Sequence, residues 1–117
     1  RYAYVLDLGR KLPQLDDSEK IEANIVRGCT AQVWLIPEKS EGGMVAFRAD
    51  SDAHLVRGLI AILIVVYNGQ LAEHVRDFDI ERYFSSLGLD EHLTPNRRNV
   101  FFAMVEKIKS LLPKAIE

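Results

Sequence analysis

From Leu59 to Tyr67 the chain is apolar without a break, and the run follows Gly58 inside what reads as one helix from about Ala53. A helix that is apolar on every side must be covered on every side, which makes it the centre of a packed core. It reaches only about half the ~20 residues that a membrane-spanning helix needs, so it predicts a soluble protein with no membrane segment. Glycine inside a helix costs about 1 kcal/mol relative to alanine. Gly58 is therefore predicted to let another backbone come close. Asn68-Gly69 ends the helix, and Asp50-Ser51-Asp52 stands before it, where any of the three could cap its free amides.

The other elements are arranged around this helix. Tyr4, Val5 and Leu8 share a face of an opening helix that Gly9 is expected to stop. Pro13 makes the next stretch an extended connector. Ile25-Val26 reads as a short strand. Ala31 to Ile36 reads as a strand apolar on both faces, hence central, and Pro37 ends it. Met44 to Asp50 alternates as a half-buried partner strand beyond the Gly42-Gly43 turn. Three amphipathic helices follow: about Leu71 to Arg76, Ile80 to Leu87 behind the cap Asp79, and a last one behind Thr94-Pro95. The last carries an inward stripe of Val100, Phe101, Met104, Val105, Ile108 and Leu111. The pattern predicts an α+β fold: a small antiparallel sheet of about three strands with helices packed on it, a single domain over 1–117.

With 117 residues, a net charge of −2 and scattered basic residues, nothing points to nucleic acid. One cysteine rules out a disulfide within one chain and any all-cysteine metal site, and it suits a reducing compartment.

That cysteine, Cys29, lies in Val26-Arg27-Gly28-Cys29-Thr30-Ala31-Gln32-Val33-Trp34, beside Gly28 and between two extended segments. A lone cysteine is commonly a small buried hydrophobe. Here the glycine predicts a loop tip, and Arg27 supplies positive charge that favours thiolate. Alternatives carry less support. His54, His74 and His92 lack the spacing of a two-histidine zinc site. A Cys29–His54 hydrolase would need an oxyanion hole that nothing in the sequence specifies. Asp50 and Asp52 could pair for acid–base work, or could cap the helix. Arg97-Arg98 could grip an anion, or could be a solvated first turn.

Read together, Leu8-Gly9-Arg10-Lys11-Leu12-Pro13, the Gly28-Cys29-x-x-x-Val33-Trp34 block, Ala49-Asp50-Ser51-Asp52, Val56-Arg57-Gly58-Leu59 and Leu93-Thr94-Pro95-Asn96-Arg97 resemble the SufE family, which includes the CsdE branch. These are sulfur acceptors of iron–sulfur cluster assembly, and the likeness runs along essentially the whole chain. The order of motifs departs at one place: Arg98 and Val100 stand where a small polar residue and a glycine are common. Family members usually carry a further helix before the point where Arg1 stands, so an N-terminal helix is expected to be missing here.

The resemblance implies the fold shared with the scaffold protein IscU, with Cys29 as the essential cysteine. It implies that Cys29 takes sulfur from a pyridoxal-phosphate cysteine desulfurase of the SufS or CsdA type, stimulates that enzyme, and passes the sulfur to a SufBCD-type scaffold. The chain itself would hold no cofactor and no metal, the pyridoxal phosphate being the partner's. Gly28, Gln32, Trp34, Asp52, Arg57 and Arg97 are the residues implied to position the loop or meet the partner. The expected setting is cytoplasmic, or organellar after removal of a leader, as a monomer or homodimer. A protein that only tethers the same machinery is the alternative.

Overall fold

The computed structural model describes residues 2–28, 31–38, 41–91 and 93–116. Helix α1 (Tyr2–Arg10) leads through two 3₁₀ turns, Asp17–Glu19 and Glu22–Asn24, to strand β1 (Val33–Pro37). After a short turn at Glu41–Gly43 come β2 (Phe47–Ser51), the long α2 (His54–Tyr67), the short α3 (Ala72–Asp77) and α4 (Ile80–Ser86), a 3₁₀ turn at Leu89–Glu91, and α5 (Pro95–Ile116). This is the α+β fold that the pattern predicts.

As its apolar sequence requires, α2 sits in the middle, packed by α1, β2 and α5. Leu59, Ile60 and Leu63 are wholly buried, and Phe84, Phe101 and Met104 complete the core around them. Coverage is incomplete at one point: Val65 is 73% exposed. It lies in an apolar groove beside Tyr4, Leu8 and Tyr83. Tyr4, expected on the inner face of α1, is itself 66% exposed.

Gly58 does what its cost predicts, because a Cβ there would land on the carbonyl oxygen of Val5 in α1. Gly9 proves to be the other half of that crossing. It lies inside α1 instead of ending it, and its Cβ would stand 2.7 Å from the Gly58 nitrogen.

Among the described residues the sheet has two strands, not the expected three or so. β1 and β2 pair antiparallel in the register Val33↔Ser51, Trp34↔Asp50, Leu35↔Ala49, Ile36↔Arg48, Pro37↔Phe47. The expected third strand shrinks to one bridge, Ile25↔Trp34, because the 3₁₀ turn ending at Asn24 bends the chain away. β1 is nonetheless covered on both faces, with Val33 and Leu35 buried on one and Trp34 on the other. β2 starts later than its alternation suggests. The Val45 amide donates to the Gln70 carbonyl (2.7 Å) and its carbonyl accepts from Gly69 N (2.9 Å), drawing the approach to β2 onto the turn after α2.

The Asp-Ser-Asp caps are also differently used. Asp50 and Ser51 belong to β2 and Ala53 occupies the N-cap of α2, but Ser51 still reaches the helix start, its Oγ accepting from the Ala53 amide at 3.1 Å. At α4 and α5 the capping expectations hold. Asp79 accepts from the Arg82 amide at 3.0 Å and Thr94 Oγ1 from the Arg97 amide at 3.3 Å. On the inward stripe of α5, Leu112 is buried and Leu111 only half-buried.

Candidate functional site

The loop that carries Cys29 is closed at its base by backbone pairing. The Val26 amide donates to the Val33 carbonyl at 2.8 Å, and Ile25 bridges Trp34. Six residues, Arg27 to Gln32, therefore run between the paired positions Val26 and Val33. Cys29 and Thr30 lie outside the described residues, so the expectation of a cysteine at an open tip falls there. Gly28 adopts φ 87° and is exposed, and a Cβ on it would meet nothing within 4 Å. Backbone conformation, not space, is what favours glycine at this point. Arg27 is also exposed and reaches Glu22 at 3.4 Å, a surface pair of little energetic weight.

The descending stem is held far more firmly. The Gln32 amide donates to Asp52 Oδ1 at 3.1 Å. Its carbonyl accepts from the Ser51 hydroxyl at 2.7 Å and from the Asp52 amide at 3.3 Å. Ser51 Oγ also accepts from the Ala53 amide at 3.1 Å, which links the stem to the start of α2. Gln32 and Asp52 are thus brought together at the loop, with both side chains exposed.

Trp34 and Arg57 lie deeper. Trp34 is buried opposite Asp50, and the Lys20 ammonium sits 5.4 Å from its ring centroid. Arg57 is buried and points its guanidinium at three segments. It donates to Asp50, to the Gly9 carbonyl (3.2 Å) and to the Leu12 carbonyl. Asp50 in turn accepts from the Leu15 amide (3.1 Å) and the Ser51 amide (2.8 Å), with Lys20 Nζ 3.7 Å away.

Asp50 is buried and taken up by Arg57 and the Leu15 and Ser51 amides, whereas Asp52 is exposed and holds the Gln32 amide, so the two carboxylates have separate partners and do not form an acid–base pair. Arg97 stands apart, half-buried in the first turn of α5. Among the described residues no hydrogen bond or ion pair joins it to Gln32, Trp34, Asp52 or Arg57. The neighbouring Arg98 lies over the rings of Phe84 and Phe102 at 5.8 and 5.3 Å, which accounts locally for a long cation where a small residue is common.

Two residues take roles that the sequence reading did not give them: Asp50, read as a cap or as half of an acid–base pair, and Ser51, read as a cap. The alternation of Val45, Phe47 and Ala49, carried one step further, places Ser51 inside. Asp50 falls on the opposite face and is buried among Arg57 and the connector residues Leu15 and Lys20, for which the sequence carries no local signal.

His54 and His74 are exposed, and His92 lies outside the described residues. Among the described residues no three His, Cys, Asp or Glu side chains gather closely enough to hold a metal ion. No described helix is long and apolar enough to cross a membrane.

The fold has a counterpart among solved structures. The solution structure of a hypothetical protein from Thermus thermophilus superposes with a TM-score of 0.78 at 22% identity, covering 98% of this chain and 83% of that one. At that identity the likeness speaks for the fold alone. The sequence itself matches the family described as SufE, Fe-S metabolism associated domain, over residues 1–112. With nearly its whole length inside that match, the chain belongs to the SufE family and is associated with iron–sulfur metabolism.

Proposed function

We propose that this protein is a sulfur acceptor, which takes sulfur onto Cys29 from a pyridoxal-phosphate cysteine desulfurase, stimulates that enzyme and passes the sulfur on for cluster assembly. The observation that supports this reading is the loop. The chain's one cysteine lies within a six-residue connection whose base is closed by Val26–Val33 and whose descending stem is fixed by Ser51 and Asp52. A short loop on a rigid base can present one sulfur to a partner's active site and return to the same place afterwards.

The chemistry requires no second thiol on this chain. The Cys29 thiolate attacks the terminal sulfur of the desulfurase's cysteine persulfide. A new S–S bond forms at Cys29, the bond to the desulfurase cysteine breaks, and that cysteine leaves as a thiolate. One sulfur atom changes carrier and nothing is oxidised overall. In this reading Gly28 gives the loop its reversed backbone, and Gln32 and Asp52 set its stem. Trp34 and Arg57 support it from within, and Asp52 and Arg97 are the outward groups available to a partner.

Incubation with a cysteine desulfurase and cysteine, followed by mass spectrometry without reductant, should add about 32 Da, one sulfur atom, on Cys29. The Cys29→Ser variant should fold, take no sulfur and lose stimulation of the desulfurase. Full stimulation by that variant would instead identify a tether that carries no sulfur.

A further inference from the structure

We infer that Ser51 is a positioning residue for Cys29: its hydroxyl locks the descending stem of the loop to the start of α2. The inference deepens the sulfur-acceptor reading and rests on it only where sulfur transfer is measured.

Three observations carry it. Ser51 is buried at the last position of β2, paired with Val33, where a serine side chain contributes little to an apolar core. Its hydroxyl is used in both directions, donating to the Gln32 carbonyl (2.7 Å) and accepting from the Ala53 amide (3.1 Å). Gln32 is three residues beyond Cys29, and Ala53 is the N-cap of a helix with no other side-chain cap. One hydroxyl therefore satisfies an orphan amide of the core helix and fixes the peptide from which the loop departs.

The contrast with the other stem makes the role specific. On the ascending side, Val26 is tied to β1, but the next residues, Arg27 and Gly28, are exposed, and among the described residues the weak Arg27–Glu22 pair is what joins them to the body. The Gln32 peptide, by contrast, is gripped through both its amide and its carbonyl. Where Cys29 can go is then governed by a stem that turns on Gln32 and is set by Ser51.

The test uses the full chain. In the wild-type protein the Ala53 amide should exchange slowly with deuterium, and in Ser51→Ala that protection should be lost. The rate at which iodoacetamide alkylates Cys29 in folded Ser51→Ala should change by about three- to tenfold, which is what one ordinary hydrogen bond is worth. Ser51→Thr, which keeps the hydroxyl on a β-branched strand residue, should restore the wild-type rate within about twofold. Sulfur loading from a saturating desulfurase should slow in Ser51→Ala by a similar factor, while the half-saturating concentration stays put.

An unprotected Ala53 amide in the wild type overturns the inference whether or not Ser51→Ala folds. Unchanged alkylation in folded Ser51→Ala does so as well. If wild-type protein accepts no sulfur, the sulfur-acceptor reading fails, and the alkylation and exchange results still decide the role of Ser51.

Discussion

At the scale of single residues, Arg57 and Asp50 have the most to lose. Both are buried, and between them they hold the Gly9 and Leu12 carbonyls and the Leu15 and Ser51 amides. Removing one partner of such a pair leaves a charge without compensation inside the protein, which costs about 3–5 kcal/mol, whereas removing both costs less. Arg57→Met is therefore expected to lower stability by about that amount in chemical denaturation. Combining it with Asp50→Asn should cost clearly less than the sum of the two single changes. Strict additivity would show that the two side chains do not act together.

Tyr67 presents the opposite case. Among the described residues its hydroxyl is the buried side-chain polar atom without a hydrogen-bond partner, and burial pushes its pKa up to about 12. Because the folded protein keeps that phenol protonated above the ordinary value near 10, stability is intact below pH ~10 and falls as pH rises toward ~12. Tyr67→Phe should remove that alkaline decline and leave neutral-pH stability unchanged or slightly higher, since no hydrogen bond is given up.

At the scale of elements, the crossing of α1 and α2 rests on two glycines meeting face to face. Alanine at Gly58 should gain about 1 kcal/mol in helix propensity, yet its methyl would occupy the place of the Val5 carbonyl oxygen. Overpacking against backbone that cannot move aside costs about 1–3 kcal/mol or more. Gly58→Ala is thus expected to be destabilising, with a lowered thermal midpoint. A rise would mean that the helices have room to separate.

Gly58 also marks how far the sequence can be read. Its position at the head of an unbroken apolar helical run announces a close approach, because no other reason compensates for a helical glycine. Gly9 carries the same role but sits where a helix stop reads equally well, and only the crossing separates the two. The burial of β1 was legible from its two apolar faces. The third strand was not, since Ile25-Val26 gives no hint that the preceding turn leaves it a single bridge. Asp50-Ser51-Asp52 shows the commonest limit. Such residues seek backbone donors, and the nearest along the chain are those of α2. The nearest in space to Asp52 is the Gln32 amide, twenty residues away and brought there by the β1–β2 register.

At the scale of the whole molecule, the connector between α1 and the loop has almost no regular structure, so it is fastened laterally. Leu12 and Leu15 are buried, and Asp50 and Arg57 hold their backbone groups. Farther along, Arg48 of β2 bonds both carboxylate oxygens of Glu19 and also Glu38 at 2.8 Å, while the Asn24 side chain donates to the Glu19 carbonyl at 2.8 Å. The connector leads directly into the ascending stem, so what holds Glu19 also steadies the approach to the loop.

Hydrogen bonds from Arg48, and then from the Asp16 amide, hold the Glu19 carboxyl below its ordinary value. A carboxylate with a lowered folded-state pKa contributes stability that is present above its unfolded value and is lost as pH falls through the folded one. Glu19 is at the surface, so this contribution is small and screened by salt. Acid should accordingly loosen the connector before it unfolds the core. Amide exchange of residues 17–25 is expected to quicken as pH drops below about 4.5, after correction for intrinsic rates, while amides of α2 stay protected. Arg48→Met should bring the same loosening to neutral pH and remove most of its acid dependence. If the connector and α2 lose protection together at every pH, the segment is held by the core alone and the Arg48 bridge contributes nothing to it.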